Sequence, residues 1–155
     1  MAQEDVSKNI DIHLPYRYKC RDYQIAFWEA MRAGKKRAVL VWHRRAGKEK
    51  TCWNFLIMRA CQKVGIYYYF FPHFSQGRKI LWDGVDKDGF RFLNHIPLEL
   101  IEGNPNSTEM KIRLKNGSLI QVIGTNNIDS IVGTNPIGCV FTEYSLQEPD
   151  RDWET

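Results

Sequence analysis

A chain of 155 residues, 43% hydrophobic and 13% aromatic, holds one sizeable core and is too short for several domains. Its 22 Lys and Arg against 18 Asp and Glu leave a formal charge of +4, which permits a polyanionic partner without demanding one. Cys20, Cys52, Cys61 and Cys139 lack Cys-x-x-Cys spacing and read as buried reduced thiols, which argues against a disulfide scaffold or a zinc module. The N-terminal "MAQEDVSKNIDIHLP" has no apolar leader and the longest apolar run is "IYYYFF", so a cytoplasmic protein with no membrane span is expected.

Residues 1–20 have no clear period and read as an arm. "DYQIAFWEAMR" (22–32) spaces Ile25, Trp28 and Met31 as a helix that ends at Gly34. "RAVLVWH" (37–43) reads as a short apolar strand. After the basic stretch "WHRRAGKEKT", the residues Trp53, Leu56, Ile57, Ala60, Cys61 and Val64 fall on one helical face. "GIYYYFFP" is a second strand, apolar on both faces as in the middle of a helix-covered parallel sheet. The helix between the two strands then fits a right-handed crossover.

The middle of the chain is less regular, with a short helix at "FSQGRKILWDG" and a second piece at "DGFRFLNHIPLELIEG" broken by Pro97. "EMKIRLKNGSLIQVIG" predicts a β-hairpin. A two-residue Asn116-Gly117 turn would pair Leu114 with Leu119 and Ile112 with Gln121, leaving Lys111, Arg113 and Lys115 on a solvated face. A loop, "NNIDSIVGTNP", leads to the apolar strand "IGCVFTEYS", which ends in a carboxylate. The order of elements is that of an α/β fold.

Two stretches carry chemistry. A strand running through a Gly-containing turn into a helix presents backbone N–H groups and the positive helix end to an anion, and Lys48 adds a point charge for phosphates. The phosphate-loop pattern is irregular, however: Trp42 stands at the first glycine and Glu49 at the hydroxyl position. The second stretch is Thr142-Glu143, where nucleotide hydrolases commonly have Asp-Glu, the first for Mg²⁺ and the second to position the attacking water. "DGVDKDG" lacks the spacing of a calcium loop and reads as a polar turn.

The blocks "RDYQ", "WHRRAGKEKT", "YYYFFP" and "MKIRLKNGSLIQVIGTNNIDSIVGTNPIGCVFTEYSLQEP" together resemble the N-terminal ATPase region of the large subunit of tailed-bacteriophage terminases, from about Tyr18 onward. The resemblance implies a RecA-like P-loop NTPase: a mainly parallel sheet with flanking helices and an inserted β-hairpin, incomplete at the C-terminus. The ATPase domain would span 21–155, with no nuclease domain. It further implies ATP and Mg²⁺ as cofactors, and double-stranded viral DNA, a portal protein, a small terminase subunit and a homo-oligomeric ring as partners, in the cytoplasm of a bacterial host. An inactive nucleotide-binding remnant and a helicase-like translocase fragment are the alternatives.

Residue by residue, the resemblance assigns Lys48 to the phosphates, with Ala46 and Gly47 allowing close backbone approach. Arg44 becomes the arginine that acts on the γ-phosphate and Glu143 the catalytic carboxylate. Arg45 reads either as a phosphate contact or as a structural ion-pair partner. Arg21, Tyr23 and Gln24 fall on the adenine-recognition block, although Tyr23 serves equally as an anchor of its helix. Because Glu49 has no hydroxyl, Mg²⁺ would need Thr51, Thr142 or waters held by acidic groups such as Glu143.

Overall fold

The computed structural model describes residues 12–143; residues 1–11 of the expected arm, and the stretch 144–155 that follows Glu143, lie outside the described residues. The chain is α/β. Among the described residues three α-helices, α1 (Ile25–Arg32), α2 (Lys48–Gln62) and the single turn α3 (Phe74–Gly77), accompany four strands, β1 (Ile66–Phe71), β2 (Lys111–Arg113), β3 (Leu119–Gly124) and β4 (Pro136–Phe141). The strands form one sheet in the order β2-β3-β1-β4. β1 is parallel to both β3 and β4, and β2 is antiparallel to β3.

β1 lies inside the sheet and buries both faces, as its unbroken apolar sequence requires. Tyr67, Tyr69 and Phe71 point to the side where α2 contributes Trp53, Leu56, Ile57 and Ala60. Tyr68 and Phe70 point to the other, with Ile123, and Ile131 packs there from a 3-10 segment, Thr125–Ile131. Trp53 is fully buried, its ring edge-on to Tyr69 at 5.9 Å, and its indole N–H donates to Phe92 O at 2.8 Å. Each such buried side chain stabilises the fold by about 1.5–3 kcal/mol.

The hairpin forms, with a register one step from the expected one. Arg113 faces Leu119, Ile112 faces Ile120 and Lys111 faces Gln121. The turn is wider than two residues: Leu114 N–H donates to Ser118 O, Gly117 N–H to Leu114 O, and Asn116 Oδ1 accepts from Ser118 N–H. This register buries Ile112, Leu114, Ile120 and Val122 together, and burial outweighs the turn preference. The turn also docks on the C-terminal end of α2, where Asn116 Nδ2 and Ser118 Oγ both donate to Ala60 O. Tyr67 Oη adds a third donor there, to Lys63 O at 2.7 Å. These bonds satisfy carbonyls that a helix end leaves without partners.

The expected strand at 37–43 is not formed. Val39 and Val41 are 87% and 88% exposed, and the segment pairs with no strand among the described residues. Among the described residues the sheet ends at β4 on one side and β2 on the other. Alternating valines favour an extended chain, but a strand exists only through a neighbour. α2 is therefore not a crossover between paired strands. The irregular middle resolves into α3 running into a π-helical turn, Arg78–Trp82, and two 3-10 turns, Phe92–His95 and Leu98–Leu100, separated by Pro97 as expected.

Candidate functional site

The site is built on the N-terminus of α2. Gly47 precedes it with left-handed backbone (φ +75°), and no side chain caps the helix. A Cβ at this position would be strained by that φ and would stand 3.0 Å from Gln24 Nε2, so a glycine is needed. The first N–H groups of a helix have no partner inside it and carry its positive dipole end, which suits an anion. Lys48 Nζ donates to Trp42 O at 3.0 Å, holding its amine at the loop's own backbone.

A cavity of about 700 Å³ opens here. The loop from Arg44 to Lys50 lines it together with Arg21 and Trp42, and Asp86, Lys87, Asp88, Phe92 and Glu143 close it. Six basic side chains (Arg21, Arg44, Arg45, Lys48, Lys50, Lys87) face four carboxylates (Glu49, Asp86, Asp88, Glu143) across it. Since Asp86 is already paired with Lys50 at 2.9 Å, the surplus is positive and suits a polyanion. Arg44 and Arg45 are exposed, the latter with φ +62°.

Glu49 joins the loop to the sheet. Thr142 Oγ1 donates to one carboxylate oxygen and Tyr69 Oη to the other. Burial pushes the Glu49 pKa up, and the two hydroxyls oppose that shift. Burial, reinforced by the Glu49 charge, also holds the Tyr69 phenol well above its usual range. Cys52, behind this group, is pushed up to about 12 by burial and is an inert thiol. Glu49, at the hydroxyl position of the loop, and Thr142, where an aspartate is usual, are thus direct partners. Glu143 follows with left-handed backbone (φ +50°) and reaches the same cavity.

The remaining expected site residues hold the loop from behind. Gln24 is buried: its Nε2 donates to Ala46 O at 2.9 Å and its Oε1 accepts from Tyr18 Oη at 2.6 Å and Arg21 N–H at 3.1 Å. Tyr23 Oη donates to the same Ala46 carbonyl at 2.8 Å and accepts from Arg21 Nη1. Thr51 is fully buried, with Oγ1 2.5 Å from Tyr18 Oη, so its hydroxyl faces the N-terminal segment and does not line the cavity.

Several partners were not anticipated: Tyr18, Tyr69, the Lys50–Asp86 pair and Phe92. For the tyrosines a signal existed, because a phenol in an apolar run must find a hydrogen-bond partner when buried.

No protein family, curated protein or solved structure matches the chain. No helix among the described residues is long and apolar enough to cross a membrane.

Proposed function

We propose that the chain binds ATP through this loop and belongs to the ATPase part of a viral DNA-packaging motor of the terminase large-subunit type. The observation that carries the reading is that Gly47, Lys48 and Glu143, drawn from stretches nearly a hundred residues apart in sequence, line one positively charged cavity at a helix N-terminus. In this reading the helix end and Lys48 hold the β- and γ-phosphates, Arg44 contacts the γ-phosphate, and Glu143 orients the attacking water. A RecA-like arrangement, double-stranded DNA, a portal and a small subunit as partners, and a ring assembly in a bacterial host belong to the same proposal.

Among the described residues no group of three or more acidic, histidine or cysteine side chains is arranged to hold a metal alone. That fits Mg²⁺ entering with the phosphates, because this ion is usually held by one or two carboxylates, waters and substrate oxygens. In this reading Glu143 and Glu49, which line the cavity, would hold it, with Thr142 acting through its bond to Glu49, and bound there it would neutralise charge on the phosphates. The absence of a hydroxyl at position 49 favours, as a second reading, a site that binds nucleotide without turning it over.

Binding is accordingly the quantity to measure. Lys48→Ala is expected to reduce Mg²⁺-ATP affinity by at least tenfold, since it removes a charge-assisted contact of about 1.5–3 kcal/mol. Titration with a fluorescent ATP analogue decides it. Equal affinities in two proteins with the same circular dichroism spectrum would remove the site.

A further inference from the structure

We infer that the turn at 86–90 forms the nucleoside wall of the cavity, with Lys87 and Asp88 recognising the ribose and base. This rests on the ATP reading above, and it follows from the way the cavity is laid out around α2.

Successive residues of a helix point about 100° apart. Glu49 faces β4 and Tyr69, whereas Lys50, the next residue, faces Asp86. The end of β4, with Glu143 two residues beyond it, and the 86–90 turn therefore flank the start of α2 on different sides. If Glu143 positions the attacking water, the γ-phosphate lies at its end of the cavity. The nucleoside of the same molecule then extends toward the other side, where Lys87, Asp88 and Phe92 line the wall.

Of the expected adenine-recognition residues, Arg21 lines the cavity with its guanidinium bonded to Tyr23 Oη, Tyr23 is itself bonded to Ala46 O, and Gln24, the amide suited to reading a base, is engaged elsewhere. Gln24 is 2% exposed, its amide bonds are made to Ala46, Tyr18 and Arg21, and it does not line the cavity.

The turn, in contrast, is held rigidly with its tip exposed. Asp86 Oδ1 accepts from the N–H groups of Asp88 and Phe90 at 2.9 and 3.0 Å, and its Oδ2 binds Lys50. Gly89 N–H donates to Asp86 O, and Asp86 N–H to Phe90 O. Phe92 O is fixed by Trp53. Lys87 and Asp88 are exposed and make no ion pair among the described residues. A carboxylate accepts hydrogen bonds from a ribose diol, and an ammonium donates to the ring nitrogens of a base. A rigid turn offers both with little ordering cost.

The test is the double variant Lys87→Gln/Asp88→Asn, which leaves net charge unchanged, so attraction for the polyphosphate as such is preserved. Affinities for Mg²⁺-ATP and for Mg²⁺-tripolyphosphate are measured calorimetrically on both proteins. A loss of about tenfold for ATP, with tripolyphosphate unchanged, is the expected result for lost hydrogen bonds to the nucleoside. Equal losses for the two ligands, or no loss for either, overturn the inference, as does a wild type that binds both ligands equally well. A wild type that binds neither overturns the ATP reading itself and this inference with it.

Discussion

Glu49 stands where a hydroxyl is usual, and its carboxylate is tied to the sheet by one hydroxyl on each oxygen. The substitution was visible in the sequence as an irregularity, and so was Thr142. Their pairing was not, because 93 residues separate them and only the placement of β4 beside α2 brings them together. The neighbouring Lys50–Asp86 pair was equally hidden, since a turn rich in aspartate carries no mark of its partner. The Lys50 amine, with the N–H groups of Phe90 and Asp88, lowers the Asp86 pKa from the usual 3.8 to about 2. A carboxyl whose pKa is depressed on folding stabilises the protein above its unfolded pKa, and that contribution is lost as pH falls from about 4 toward 2. Asp86→Asn should therefore be less stable than wild type at pH 7, and the gap should narrow progressively below pH 4. Urea midpoints across pH 2–7 measure this, and a gap that is constant with pH would show that Asp86 acts only as a turn former.

At the scale of elements, α2 and β1 were legible because burial follows most of their periods: Trp53, Leu56, Ile57 and Ala60 are buried on the expected face of the helix, and all of β1 from Tyr67 onward is buried, whereas Cys61 is only partly buried and Val64, expected on the same face, lies beyond Gln62 and is exposed. The hairpin was legible as an element but not in register, since the docking of its turn on α2 was invisible locally. The π-helical turn was invisible for a similar reason. It arises where Asp83 N–H bonds to Arg78 O, and it turns the chain back so tightly that a Cβ on Gly84 would lie 1.8 Å from Ile80 O. Gly84→Ala must displace backbone, and the 86–90 turn with it, at a cost of about 1–3 kcal/mol. Gly89, at the tip of that turn, has open space around it, so Gly89→Ala is the comparison: it should cost no more than the local left-handed penalty of about 1–2 kcal/mol. Chemical denaturation of the two variants checks the order, and a Gly84→Ala protein as stable as wild type would mean that the π turn relaxes freely.

For the molecule as a whole, the sequence conveyed the α/β class, because that depends on patterns that a helix-covered sheet imposes. It misled on the segment 37–43, whose strand character needs a neighbour that the described residues do not supply. The result is an exposed stretch carrying Val39 and Val41, and, among the described residues, a sheet with β4 at one edge, whose Ile137 and Phe141 are also exposed. Unpaired extended backbone with apolar side chains is a template for pairing with another chain. Val39→Lys/Val41→Lys is expected to reduce concentration-dependent association in sedimentation velocity while shifting stability by no more than about 0.5 kcal/mol, as exposed positions allow. A large drop in melting temperature would instead place those valines in contacts that the fold requires.

The hydrogen bond from Lys48 to the Trp42 carbonyl gives the loop an optical label of its own. Trp28, Trp53 and Trp82 are buried, whereas Trp42 is half-exposed, with its ring edge-on to Tyr23 at 5.7 Å. An anion that draws the Lys48 amine away from that carbonyl changes the polarity around one indole and leaves the three interior ones untouched. With Trp153, which lies outside the described residues, replaced by Phe, the red side of the intrinsic emission spectrum, where a partly hydrated tryptophan contributes, therefore reports the state of the lysine without any dye attached to the protein.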